Sequence, residues 1–592
     1  MRTKRKTEEK KMSMSKNIAR LAVTAGLTAA LSFGGVMAPI TMAFAADGGS
    51  AVTFEDDRYS STTTYKGIQI FTADVDGTTV KNVQWAGSGE QQTAIQTAVV
   101  GAINEWSTAH NLGDYTSKNA QNAAEWLNTN AQVNGTDSRI ANDNVLNKIA
   151  KKLSDESFTW KKTQQGDNTL TGLDAGYWLF LTNGVYKPTD GSAVEQSTDV
   201  FTSPIFKLVN GTDTVNITPK KKIPTVEKKI VSDAGSAEHD AADSHIGQDV
   251  TYNLYGTIAD NYDTYDTYYY QFSDQLSKGL TLEGGFEATL YASRSLAQAH
   301  TGGIDVTNSF TQSKEVADTT TGIKTTTWTC SNLKSVAGVT SESCIVVSYK
   351  AKINSEAAIG GNAGNTNTAT LTYSNNPMTN DTGTTVPDEV KTYTYGLKLN
   401  KVDLGTEEAL KDPNIKFTIR VKSAADSNLE GKYVQSDGTL VGAEYKLSVT
   451  NGAITIKGLG AGTYTVVETD APANYDKVQP FEFTITPNRD SEASGESPVG
   501  AKYKINTSQK DQVIIGTPDD VKDDNKLEAA ESTTINDDGT FNITVGDTKK
   551  VGLPLTGLNG VTFTWIAGGA VLCIGVAHLI RSRKQAEESE QE

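Results

Sequence analysis

"YGLKLNKVD", Tyr395–Asp403, alternates apolar and polar side chains with the two-residue period of a β-strand, and one inward position breaks the apolar rule. Leu397, Leu399 and Lys401 fall on one face, so the lysine amine is carried inward with the leucines. Downstream, "IKFTIRV", "EYKLSV", "AITIKGL", "TYTVVET", "FEFTIT" and "FNITVGD" are further short strand-like runs divided by turn residues. Together they predict an all-β domain over 391–550. In its last run Phe541, Ile543, Val545 and Asp547 share a face.

Upstream, residues 223–390 carry a second series, "DVTYNLYGTI", "YYYQFSDQL", "TTWTC", "CIVVSYKAKI" and "NTATLTYSN", separated by Gly, Asn and Ser. Several such strands without long helical patterns predict a β-sandwich. It opens in "ITPKKKIPTVEKKI", where two Pro and five Lys mark a connector, and where Val226, Lys228 and Ile230 alternate onto one face. That alternation favours Lys228 over Lys229 as the inward lysine. The stretch "DNYDTYDTYYY" reads as a surface loop feeding a strand. Residues 46–222 mix periods: Ile95, Val99, Ile103 and Trp106, and then Leu146, Ile149 and Leu153, recur at helical spacing, whereas "AGYWLFLT" and "SPIFKLV" read as strands. This predicts an α+β domain.

Both termini carry address signals. Residues 1–45 have a Lys/Arg-rich start, a small and apolar stretch, and Ala43-Phe44-Ala45 before a cleavage expected at Ala46; translation from Met12 or Met14 would shorten the basic start. At the other end "LPLTG", residues 553–557, precedes an uncharged 20-residue run over 561–580 and then Arg581, Ser582, Arg583 and Lys584. Such a run covers a hydrocarbon core of roughly 30 Å, and the basic tail marks the cytoplasmic side. The net charge of -17, from 54 basic and 71 acidic residues spread along the chain, argues against nucleic acid as a partner. Three Cys in so long a chain make no disulfide framework; Cys330 and Cys344 are the candidate pair, read as neighbours on a hairpin. Five His without ligand spacing predict no metal site, and nothing in the sequence calls for a cofactor.

With these residues on the page the chain resembles, over essentially its whole length, the backbone pilins of Gram-positive bacteria. The LPLTG segment, apolar run and basic tail are similar as a unit to a cell-wall sorting signal. The resemblance implies that a membrane-bound sortase recognises Leu553, Pro554, Leu555, Thr556 and Gly557, attacks the Thr556 carbonyl with a Cys thiolate and releases Gly557. The membrane helix then serves to hold the substrate.

The domain over 391–550 resembles the collagen-adhesin B-type domain, an immunoglobulin-like β-sandwich. "YTVVETDAPANY" matches that family's YxxxET-x-AP-x-x-Y element and places Glu468 as a buried catalytic acid, with Lys401 as the reactive lysine. The acceptor position falls on Asp547, where the family usually has Asn; Asn542 is the alternative, one register off. The middle domain resembles the isopeptide-forming second domain of these pilins, which implies roles for Lys228, Asp274 and Asn367. The residue types suit the chemistry. A buried lysine loses proton affinity and a buried carboxyl gains it, so a neutral amine meets an acid that moves protons and polarises the acceptor carbonyl.

The first domain ends in "NITPKKK", which resembles the family's Tyr-Pro-Lys donor element with Thr218 in place of Tyr. This implies Lys220 as the polymerisation donor, with Lys221 and Lys222 as alternatives. The expected function is a major pilus subunit joined head to tail through Thr556 and Lys220, anchored to peptidoglycan at the cell surface and supporting adhesion to a host ligand. Its partners are sortase and other copies of itself, and its only chemistry is its own isopeptide formation. A monomeric wall-anchored adhesin or minor pilin is the alternative. No His-paired nucleophile argues for an enzyme.

Overall fold

The computed structural model describes residues 49–55, 63–131, 133, 139–155, 157–185, 197–219, 221–231, 237–360, 364–487, 501–519 and 531–551. The expected signal segment, Lys220, the LPLTG motif and the apolar run 561–580 with its basic tail lie outside the described residues. Among those described, no helix is long and apolar enough to cross a membrane. The chain is mainly β, built as tandem β-sandwich domains behind an α+β unit.

In the α+β unit, strand Thr63–Asp76 pairs with Thr79–Trp85 on one side and Gly176–Val185 on the other, and Ile205–Val209 extends the sheet. One face is covered by helices. Ile95, Val99 and Ile103 from Gly89–Ala109 pack with Leu146, Ile149 and Leu153 from Val145–Leu153 against Ile68 and Ile70. A further helix, Ala120–Asn130, buries Ala120, Ala123, Ala124 and Leu127 and is capped by the Asn119 side chain on the Asn122 N–H. The other face, through Tyr65, Trp178 and Phe180, meets a three-stranded sheet centred on Ser50–Phe54.

The following sandwich sets a six-stranded sheet, containing Val226–Val231, Asp249–Thr257, Cys344–Ile353 and Leu280–Tyr291, against an eight-stranded one, containing Asp388–Tyr393, Asn365–Ser374, Tyr270–Leu276 and Lys324–Cys330. Tyr252, Phe272, Trp328, Val347 and Leu371 are fully buried between them. Two expectations are corrected here. Cys330 and Cys344 are buried free cysteines: the connection between their strands crosses the sandwich instead of turning a hairpin, and Cys330 packs in the core between the sheets whereas Cys344 packs in a separate cluster with Tyr255, Tyr291 and Val346. The segment 260–269 does feed strand Tyr270–Leu276, with Asp263, Asp266 and Thr267 exposed, but its tyrosines turn inward instead of lying on the surface. Tyr262, Tyr265 and Tyr268 are buried edge to face, and Asn261 and Thr264 are buried with them, bonded to Phe201 O and the Ser203 hydroxyl of the preceding unit.

In the last sandwich, strand Tyr395–Asp403 lies between Ala453–Leu459 and Thr540–Lys549 in a five-stranded sheet. It runs parallel to Thr540–Lys549, with Lys401 opposite Val545 and Asp403 opposite Asp547. An eight-stranded sheet containing Lys416–Ser423, Gly462–Asp470 and Phe481–Pro487 covers it. The two sandwiches meet at His245. Its Nδ1 accepts the Gly460 N–H at 3.2 Å, its Nε2 lies 3.2 Å from the Tyr464 hydroxyl, and that hydroxyl donates to Gly460 O at 2.7 Å. Beside it Gly458, at φ +94°, lets Ile246 approach where a Cβ would stand 2.3 Å from the isoleucine.

Candidate functional site

Among the described residues each sandwich buries one lysine against a carboxyl. In the middle domain the inward face of Val226–Val231 carries Lys228, completely buried, whereas Lys229 points outward to Asp240 and Glu227. Asp274 and Asn367 occupy inward positions of neighbouring strands in the opposite sheet, where Leu276 pairs with Asn367 and Asp274 with Ala369. The amine therefore reaches across the sandwich. Lys228 Nζ is ion-paired with Asp274 Oδ1 and lies 2.9 Å from the Tyr349 hydroxyl, which donates to Asp274 Oδ2 at 2.6 Å. Asn367 Nδ2 donates to the same hydroxyl oxygen at 2.7 Å, and Asn367 Oδ1 has no hydrogen-bond partner among the described residues. The Lys228 backbone N–H is held by Asp388 at 2.6 Å, which fixes the strand at that register.

Burial sets the protonation. It pulls the Lys228 amine down in proton affinity, against the opposing pull of the Asp274 charge. It pushes the Asp274 carboxyl up. The aromatic walls, Tyr252 and Tyr349, lie 5.2 and 5.3 Å from Nζ. A site so arranged favours passage of the ammonium proton to the carboxylate, which leaves a nucleophilic amine next to an amide.

In the last domain the inward face of Tyr395–Asp403 carries Lys401, and Glu468 and Asp547 meet it from Gly462–Asp470 and Thr540–Lys549 with side chains fully buried. Lys401 Nζ is ion-paired with Asp547 Oδ1, and Glu468 Oε1 stands 3.2 Å away, outside hydrogen-bonding geometry. Glu468 Oε2 accepts the Val478 N–H at 2.9 Å. Burial, with the neighbouring Asp547 charge adding to it and Lys401 opposing, raises the Glu468 carboxyl to about 7. Burial raises Asp547 as well. Two carboxyls and one amine thus share a fully buried site in which one carboxyl holds a proton near neutral pH. Asn542 does not meet the lysine: it bonds the side chains of Asn400 and Asn536.

The connector is half buried. Lys221 Nζ is paired with Asp199 at 2.5 Å and lies 3.2 Å from the Thr63 hydroxyl, with its side chain only 3% exposed. Lys222 is exposed. Sequence reasoning missed Tyr349 and Asp388. Tyr349 is one inward residue among several in "CIVVSYKAKI", and its hydroxyl carries no local signature.

The fold and the paired sites define a class of tandem β-sandwich proteins with a lysine and a carboxyl buried in each sandwich. Residues 395–497 match the family model described as SpaA, prealbumin-like fold domain. No curated protein sequence matches the chain significantly. Among solved structures the chain is similar to the T6 backbone pilin of serotype M6 Streptococcus pyogenes, at 14% identity and a TM-score of 0.42, covering 86% of this chain and 100% of that one. It is also similar to the full-length major pilin SpaD from Corynebacterium diphtheriae, at 16% identity and 0.42, covering 86% and 99%. For BcpA, the major pilin subunit of Bacillus cereus, the figures are 15% and 0.34, covering 67% and 93%.

Proposed function

We propose that this chain is the major structural subunit of a covalent cell-surface pilus, exported, held in the membrane by residues 561–580 and polymerised by a sortase through Thr556 and Lys220. The observation that carries the reading is the pair of buried lysine sites, one per sandwich. Lys228 and Lys401 are each locked against a carboxyl in a fully buried core, an arrangement that makes sense as the precursor of a covalent bond and little sense as a source of stability, since a buried ion pair rarely outweighs its desolvation. The bonds proposed are Lys228 to Asn367, with loss of ammonia, and Lys401 to Asp547, with loss of water, assisted by Asp274 and Glu468. The LPLTG motif before an apolar run and basic tail supports wall anchoring, and the domain match over 395–497 supports the assignment of the last sandwich. The protein is structural; its only chemistry acts once, on itself.

Lys220 sits in a Pro-flanked polar connector, remote in sequence from Thr556, so joining the two propagates a chain instead of closing a ring. The burial of Lys221 against Asp199 disfavours it as donor and leaves Lys222 as the alternative. Wall digests probed after boiling in detergent test the reading. The wild type should give a high-mass ladder, Lys220→Arg should collapse it to wall-anchored monomer, and Thr556→Ala should leave monomer in the membrane or medium. A ladder that survives both substitutions contradicts the reading; a wild type that is wall-linked but never polymeric favours the monomeric adhesin.

A further inference from the structure

We propose that Tyr349 is a further catalytic residue of the middle-domain site, beside Asp274, tying the nucleophile and the leaving nitrogen to one oxygen and carrying a proton between them. The inference rests on the proposed Lys228–Asn367 bond and concerns how it forms.

The geometry is particular. A phenol has one O–H to donate and two lone pairs to receive, and all three are used on reacting groups. Tyr349 donates to Asp274 Oδ2 at 2.6 Å, and its oxygen accepts from Lys228 Nζ at 2.9 Å and from Asn367 Nδ2 at 2.7 Å. The donor bond fixes the direction of both lone pairs. This orients the Asn367 amide, with its nitrogen turned to the proton-bearing cluster and Oδ1 left unpartnered where charge develops. Tyr349 itself is held by packing: its ring lies 5.5 Å from Tyr252 and 4.8 Å from Trp328, centre to centre, and strand Cys344–Ile353 is paired on both sides. An ordinary core tyrosine would satisfy its hydroxyl with one backbone carbonyl.

The step balances as follows. Lys228 gives one ammonium proton to Asp274, and the freed amine lone pair forms a bond to Asn367 Cγ while the carbonyl pair moves to Oδ1. The new nitrogen then passes a proton to the Tyr349 oxygen as the phenol hydrogen swings from Asp274 to Nδ2. The Cγ–Nδ2 bond breaks, its electron pair leaves with nitrogen, the carbonyl reforms, and ammonia departs. The proton on Asp274 follows it to give ammonium. No oxidant or external reactant is needed. Burial raises the Tyr349 hydroxyl well above its ordinary value, so the transfer runs through a neutral phenol rather than a phenolate.

The last domain provides an internal control, because Lys401 is flanked by Phe417, 5.6 Å from Nζ, and its hydrogen bonds involve no tyrosine among the described residues. The full chain is synthesised cell-free, quenched at intervals and digested, and the branched peptides at both sites are quantified by mass spectrometry. Tyr349→Phe keeps the ring and removes one oxygen. It should slow the Lys228–Asn367 branch by about a hundredfold to ten-thousandfold, the scale of a lost general acid–base group, while the Lys401–Asp547 branch keeps its wild-type rate. Equal rates for Tyr349→Phe and wild type overturn the proposal and leave the cross-link reading intact. Absence of the Lys228 branch from the wild type sinks both. Limited proteolysis of unbonded Tyr349→Phe supplies the fold check: resistance equal to that of unbonded Asp274→Asn supports the proposal, and loss of resistance makes Tyr349 a packing residue and overturns it.

Discussion

Changing Glu468 to Gln keeps the side-chain volume in a fully buried position and removes a carboxyl raised by burial to about 7. Gln cannot take a proton from Lys401, so the amine stays an ammonium paired with Asp547 and no bond to the acceptor forms. The Val478 N–H keeps an oxygen acceptor, which confines the change to the lost acid. The bond would close a loop spanning 146 positions, from the first strand of the domain to its last. Restricting the unfolded chain over such a loop is worth about 5 kcal/mol by chain entropy. For a domain of this size each kcal/mol moves the melting temperature by roughly 2–4 °C, so the variant should melt about 10–20 °C lower. Calorimetry on the full chain, with the branched peptide quantified from the same sample, measures both. A Glu468→Gln protein that still carries the branch refutes the role of the acid; one that lacks the branch yet melts within about 2 °C of the wild type refutes the loop argument.

The junction at His245 should be acid-sensitive. Burial, with Lys432 adding to it, lowers the imidazole from 6.5 to about 4, so between those values the unfolded chain binds a proton that the folded one refuses. Stability should fall as pH drops below about 6.5 and level off below about 4, a loss on the order of 3 kcal/mol that His245→Gln should abolish; an unchanged pH slope in that variant counts against the network. Lys221→Arg should leave the polymer ladder intact, since that amine is paired with Asp199 inside the protein; loss of the ladder would make Lys221 the donor. Cys330 and Cys344 should resist alkylation in the native protein and react after unfolding, because both are buried and burial raises the Cys344 thiol to about 12. Rapid native labelling would contradict their placement.

What could be read from the sequence followed the period of two. Alternation alone separates Lys228 from Lys229 and Asp547 from Asn542, because a one-residue slip turns a strand side chain to the other face. The helices of the first domain announced themselves through Ile, Val and Leu, but Ala120–Asn130 packs an alanine face that hydrophobic periodicity barely registers. The tyrosine-rich segment misled because Asp, Asn and Thr stand between its rings. Asn261 and Thr264 among them are buried, with partners in the preceding unit that no local pattern reveals, while Asp263, Asp266 and Thr267 stay exposed. The cysteines misled in the same way, since the sheet each strand joins is decided by non-local pairing. Tyr349 was hidden because three hydrogen bonds on one hydroxyl arise only when three strands from two sheets converge.

The intact mass of the full chain, purified after folding and corrected for any signal cleavage, tests the central claim most directly. Two buried lysines, each bonded to its acceptor, predict a mass below the sequence value by one ammonia and one water, with branched peptides joining Lys228 to Asn367 and Lys401 to Asp547. Asp274→Ala should restore the ammonia alone and Glu468→Ala the water alone. A wild-type mass equal to the full sequence value would contradict the account.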